Sequence, residues 1–194
     1  MFYSKLLKAA SAINRRNFSN EPALWKIANY RFFVPLQTRW RDTGHDGNLA
    51  DSVYYDTMIS LTQSFVSKFN NPGLTEHILT DNYYECRNRL SYPEVPLVGL
   101  GVTEVTGSRL KFTVGFFKQK SDQSSIATSP INLDLRGSLL DDNDVITIAD
   151  HYDNEAAVLG FQATVMKGLD EGIPNALKEA IKLIQMNCSD LDKK

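Results

Sequence analysis

The chain has 194 residues, of which 42% are apolar, 23% charged and 10% aromatic, so it is an ordinary globular sequence rather than a disordered, collagen-like or disulfide-rich one. A formal net charge of −2 provides no global basic field and argues against a nucleic-acid partner, and the longest uncharged apolar run, 95–102, is far short of the roughly 18 to 20 residues of a membrane-spanning helix. Cys86 and Cys188 lack a short metal-type spacing and read as reduced structural cysteines, and His45, His77 and His151 are too scattered to suggest a ligand set, so neither a metal nor a cofactor is expected.

The first twenty residues differ from the rest. Lys5, Lys8, Arg15 and Arg16 are accompanied by no acid, and all 23 acidic residues follow from Glu21 onward. On a helical wheel Phe2, Leu6, Ala9, Ala10 and Ile13 share one side and the basic residues the other, the pattern of a mitochondrial presequence. The run Arg15-Arg16-Asn17-Phe18-Ser19 fits matrix processing, with the mature chain starting at Ser19; a basic surface helix is the alternative. Loss of residues 1–18 removes four positive and no negative side chains, so the charge moves from −2 to −6 and the matrix is the expected location. Residues 19–29 are then an N-terminal extension, 30–186 the folded domain and 187–194 a tail.

Tyr30, Phe32, Val34, Leu36, Thr38 and Trp40 alternate with polar residues, Phe33 excepted, and predict a half-buried strand over 30–40. A glycine-bearing turn over 42–48 leads into a helix whose stripe is Tyr54, Met58, Leu61, Phe65 and Phe69, stopped by Asn70-Asn71-Pro72-Gly73. Leu110, Phe112, Val114 and Phe116 predict one strand, and Leu159, Phe161, Ala163 and Val165 another. Pro174 opens a terminal helix buried through Leu177, Ile181 and Ile184. Residues 118–156 read as an elaborated hairpin with alternation at Ile131, Leu133 and Leu135, an acidic turn over 141–144 and a strand over 145–148; a disordered loop is the alternative for 119–130. The order predicts an α+β domain in which an antiparallel sheet wraps around a long helix.

Residues 39–55, RWRDTGHDGNLADSVYY, resemble the start of hotdog-fold proteins of the 4-hydroxybenzoyl-CoA thioesterase family, in which an arginine-aromatic strand end runs into a D-x-D-x-x-G-H-V-N-N loop and a helix. Arg39, Trp40, Asp42, Gly47 and Tyr54 match without gaps. The segments at 89–117 and 172–181 resemble that family's strand pair with its tyrosine-proline turn and its proline-started terminal helix. The resemblance implies an acyl-CoA thioester as substrate, a groove shared by two subunits, and a homodimer or dimer of dimers.

It also implies the chemistry. A loop carboxylate acts as nucleophile or general base, and N–H groups at the helix start, here of Asp51 or Ala50, polarise the thioester carbonyl. The second acid of D-x-D is Gly44 in this chain, where a glycine also allows a positive φ. Asp42, His45 and Asp46 are the candidate substitutes, although Asp46, Asn48 and Asp51 also suit turn and cap positions. Asn48, Tyr54, Arg87 and Arg89 are the candidate groove residues, the two arginines flanking Cys86 on a predicted strand. The expected activity is weak thioester hydrolysis, with a catalytically inactive acyl-binding or interaction protein as the alternative. A hotdog dehydratase needs a histidine or acid on the central helix, where Asp56 is the only acid from Tyr54 to Phe69 and there is no histidine.

Overall fold

The structure, a computed structural model, describes residues 21–69, 76–107, 109–120, 139–167 and 173–186. The expected presequence and its Ser19 end, the helix stop at 70–73, residues 121–138, Cys188 and the tail lie outside the described residues. Five strands form one sheet: β1 (Phe32–Pro35), β2 (Glu76–Cys86), β3 (Leu97–Thr106), β4 (Arg109–Phe117) and β5 (Val158–Lys167). All pairings are antiparallel and the order is β1-β3-β4-β5-β2, which leaves β1 and β2 at the edges. The helices are α1 (Asp51–Phe69), α2 (Asp142–His151) and α3 (Asn175–Ile184). This is the expected α+β layout.

On one face of the sheet lies α1, which buries Tyr54, Met58, Leu61, Phe65 and Val66 against Val98, Leu100, Phe112 and Val114. Gly160 marks the approach: a Cβ there would run into the Met58 thioether, so the Met58 side chain from the middle of α1 rests directly on β5 at this glycine. Asp51 in the first turn and Lys68 in the last complement the helix dipole. The terminal helix α3 packs into the same core through Leu177, Ala180, Ile181 and Ile184.

The other face is covered too, which overturns the half-buried strand expected over 30–40. The segment from Pro22 to Asn29, built of two 3-10 turns, lays Leu24, Trp25 and Ile27 over that face, where α2 adds Val145 and Ile148. Phe33, the exception to the alternation, is therefore 0% exposed beside Phe117 and Leu97. The strand itself ends at Pro35, and Trp40, placed inward by the alternation, is 74% exposed in a 3-10 turn. The cover is fastened by polar contacts. Lys26 pairs with Glu155, the Arg87 guanidinium stacks 3.6 Å from the Trp25 ring centre, and Arg31 meets Asp142 at 2.6 Å.

The strand expected over 145–148 is instead part of α2. The acids before it do not form a turn: the Asp141 carboxylate accepts from the Asp144 N–H at 2.9 Å and caps the helix, with Val145 and Ile148 one turn apart on its buried side. The ends of the inserted segment meet antiparallel, since Lys120 N donates to His151 O at 3.0 Å and Asp153 N to Lys118 O at 2.8 Å. No helix of the described residues is long and apolar enough to cross a membrane.

Candidate functional site

The start of α1 is built by the loop 39–50. Asp42 closes it at both ends: its carboxylate accepts from the Arg39 N–H at 2.8 Å, and its carbonyl accepts from the Ala50 N–H at 2.9 Å. Between them Thr43 and Leu49 pair antiparallel, Gly44 N donates to Asn48 O at 2.8 Å, and Gly47 N donates to Gly44 O at 3.1 Å. The tight turn requires a left-handed residue at Gly47, with φ of 77°; Gly44 lies outside that region, so the positive φ allowed for it belongs to its neighbour. Leu49 N donates to Leu90 O at 2.8 Å, and the Tyr54 hydroxyl accepts from Leu90 N at 3.2 Å, which ties the helix start to the segment after β2.

The loop acids are occupied by this architecture. The Asp46 carboxylate takes the side-chain amide of Asn48 at 2.7 Å and its backbone N–H at 3.2 Å, with Arg89 at 4.0 Å. The two bonds from Asn48 and then the Arg89 charge hold the Asp46 carboxyl below the usual carboxylate range. A general base at that position is already acting as a turn acceptor. His45 stands exposed at the tip of the turn.

The helix start differs from expectation at one donor. The Ala50 N–H is spent on Asp42, and Val53 N donates to Ala50 O at 3.0 Å, so Asp51 and Ser52 are the first-turn residues whose N–H groups have no acceptor among the described residues. The Asp51 carboxylate lies beside Tyr84, whose hydroxyl is raised far above the ordinary tyrosine value by burial and then by Asp51. Tyr55 and Tyr54 pack their rings on Tyr84, each at 5.2 Å. Burial also raises the Cys86 thiol, Arg89 opposing and Asp51 adding to the shift, so the exposed thiol is held protonated rather than activated.

Asp42, His45, Asp46, Asn48, Ala50, Asp51 and Arg89 thus share one end of α1. Tyr54 is 2% exposed, a buried strut rather than a groove wall. Arg87 is elsewhere: β2 ends at Cys86, so neither arginine continues the strand, and Arg87 serves the outer face with Trp25 and Glu155. Sequence reasoning missed Tyr55, Tyr84 and Ser52, together with a groove of about 330 Å³ along α1. Val34, Leu36, Leu61 and Val98 form its apolar wall, and Asp56, Ser60 and Ser64 its rim. The recurrence of Ser52, Asp56, Ser60 and Ser64 every fourth residue was the available signal. No group of three or more His, Cys, Asp or Glu side chains that could hold a metal occurs among the described residues.

No protein-family profile and no curated protein sequence matches this chain. Solved structures do. A Pseudomonas aeruginosa protein superposes with a TM-score of 0.60 at 15% identity over 84% of this chain and 96% of its own. A thioesterase-superfamily protein of Jannaschia sp. CCS1 gives 0.55 at 12% over 78% and 81%, and a gentisyl-coenzyme A thioesterase gives 0.53 at 11% over 77% and 98%. With the five-stranded antiparallel sheet and the buried helix across it, these likenesses show that the chain has the hotdog fold.

Proposed function

We propose that this chain is a mitochondrial matrix protein that binds acyl-CoA thioesters at the start of α1 and hydrolyses them slowly. The observation that carries the reading is the pair of unoccupied N–H groups at Asp51 and Ser52, on a helix held by the fold that thioesterases such as the gentisyl-coenzyme A enzyme share. Two such donors stabilise the oxyanion that forms when water adds to a thioester carbonyl. Hydrolysis is slow because Gly44 supplies no carboxylate and Asp42 and Asp46 are held in the turn, leaving His45 as the exposed base beside the site. Arg89 offers a guanidinium to a CoA phosphate.

The working unit in this reading is a homodimer. The outer side of β2 has no strand partner among the described residues, and Ile78, Leu79 and Tyr83 are 37–40% exposed along its eleven residues, as suits pairing with a second copy. The second reading, an acyl-binding protein without turnover, is favoured by the turn bonds to both loop acids. Purified residues 19–194 incubated with octanoyl-CoA, with CoA release followed by chromatography because exposed Cys86 would consume thiol reagents, distinguishes the two. Slow release supports hydrolysis, binding without release supports the second reading, and no binding refutes both.

A further inference from the structure

We infer that the corner formed by Trp40 and Tyr92, with Arg39 and Arg41 beside it, is a site for one adenine nucleotide; that this nucleotide is the end of the CoA carrier rests on the acyl-CoA reading above. Trp40 is 74% exposed and Tyr92 42% exposed, and their ring centres lie 5.9 Å apart at 84°. A flat base stacked on one ring therefore meets the other edge-on, which are the two favourable arrangements of aromatic groups. Backbone bonds hold both rings outward. The Trp40 carbonyl accepts from the Thr43 N–H at 3.2 Å and from the Thr43 hydroxyl at 2.7 Å. The turn at Tyr92 is closed by Glu94 N donating to Ser91 O at 3.0 Å, and the Thr38 hydroxyl ties it back at 2.6 Å through Glu94 O.

Charge sets the ligand class. Arg39 and Arg41 flank Trp40 and are exposed. Arg41 stands 4.0 Å from Asp42 and Arg89 4.0 Å from Asp46, at the outer limit of ion pairing, and both carboxylates already accept backbone N–H groups. The guanidiniums therefore keep donors for phosphate oxygens. Aromatic faces beside guanidiniums suit a phosphorylated purine, and a single corner on a chain of net charge −2 suits one nucleotide rather than a strand. The corner is also within reach of the helix start. Trp40 is two residues from Asp42, whose carbonyl holds the Ala50 N–H at 2.9 Å, and Ser52 is two residues further on. At up to about 3.6 Å per residue, the two positions are at most about 20 Å apart. Pantetheine and diphosphate place about eighteen bonds between a thioester carbonyl and the ribose, about 22 Å at about 1.25 Å per bond, so the carbonyl and the base can be held together.

The test compares three probes by calorimetry: octanoyl-CoA, octanoyl-pantetheine, which lacks the nucleotide, and adenosine 3′,5′-bisphosphate, which lacks the thioester. Octanoyl-CoA should bind about tenfold or more tighter than octanoyl-pantetheine. Trp40→Ala should weaken octanoyl-CoA and the bisphosphate by about five- to 150-fold, the range that loss of one stacking partner gives, and leave octanoyl-pantetheine unchanged, which also shows that the variant is folded. Fluorescence gives a direct readout. The chain has two tryptophans, and Trp25 is 0% exposed, so quenching by the bisphosphate should come from Trp40 and vanish in Trp40→Ala. If octanoyl-CoA binds no tighter than octanoyl-pantetheine, or Trp40→Ala leaves its affinity unaltered, the nucleotide site is overturned and the thioester reading stands. If the bisphosphate binds through Trp40 but neither thioester gains from the helix start, the nucleotide site stands and the acyl-CoA reading falls. If none of the three binds, both fall.

Discussion

Removing the hydroxyl of Tyr54 isolates the bond that joins α1 to the segment after β2. In Tyr54→Phe the ring keeps its contacts with Tyr84 at 5.2 Å and Phe116 at 5.3 Å, so no cavity of consequence opens. What is lost is the acceptor for Leu90 N–H, in a residue 0% exposed. A buried donor left without a partner costs about 1–3 kcal/mol, and the 3.2 Å length of the native bond places the cost in the lower part, about 1–2 kcal/mol. For a domain of this size each kcal/mol moves Tm by about 2–4 °C, so a fall of about 2–8 °C is expected. Scanning calorimetry at one fixed protein concentration measures it, since association would make Tm concentration-dependent. Tyr55→Phe is the control, because among the described residues its hydroxyl holds no buried N–H, and it should change Tm by far less. An unchanged or higher Tm for Tyr54→Phe would refute the claim that this bond braces the helix start.

Gly44→Asp should raise the rate of acyl-CoA hydrolysis by about 10²- to 10⁴-fold if the missing carboxylate limits it; the backbone tolerates the change, but the new Cβ lies 3.1 Å from Asp46 Oδ1, so stability is measured alongside, and a folded variant with unaltered rate rejects the idea. Glu155 is held below the usual glutamate range by its bond to Lys26, then by the charges of Lys26 and Arg87. A lowered folded pKa gives stability that is complete above the unfolded value of about 4.3 and is lost as pH falls through the folded value, so the Tm difference between the wild type and Glu155→Gln should be present at pH 7 and vanish in acid. Light scattering should give a homodimer for residues 19–194, and Leu79→Asp, on the exposed edge strand, should give monomers; a wild-type monomer at micromolar concentration removes the β2 interface. The form recovered from mitochondria should begin within a few residues of Ser19 by N-terminal sequencing, and an intact Met1 rejects matrix processing.

The architecture was legible where a residue's burial follows from one repeating contact. The stripe from Tyr54 to Phe69 meets a single surface, the sheet, and its spacing therefore marked α1; Leu177, Ile181 and Ile184 marked α3 in the same way. Legibility failed where a second surface intervened. Phe33 broke the alternation because Trp25 and its neighbours, distant from the partner strands in sequence, cover the outer face. Val145 to Ile148 is β-branched and short, and favours a strand by local composition, but the Asp141 cap and the burial of Val145 and Ile148 against the outer core select a helix. At the candidate site, residue types were readable but their engagements were not. A sequence shows that Asp42 and Asp46 are near Gly44; it does not show that the first closes a loop through Arg39 and Ala50 and the second accepts from Asn48. The family resemblance located the loop, and the hydrogen bonds then separated its acceptors from its available donors.

The outer cover of the sheet determines where this protein can be shortened. A boundary drawn at the first strand would begin the chain near Tyr30 and discard Leu24, Trp25 and Ile27, each at most 1% exposed. Phe33, Leu97 and Phe117 would then meet water on a face that has no polar alternation to spare, and Arg87 and Glu155 would lose their aromatic and lysine partners together. Such a truncation exchanges a buried sandwich for a sticky plate, prone to precipitate rather than to report on acyl-CoA chemistry. Leu24, Trp25 and Ile27 are thus as much part of the hydrophobic interior as the central helix is, and any trimmed version for biophysical work should retain everything from Glu21.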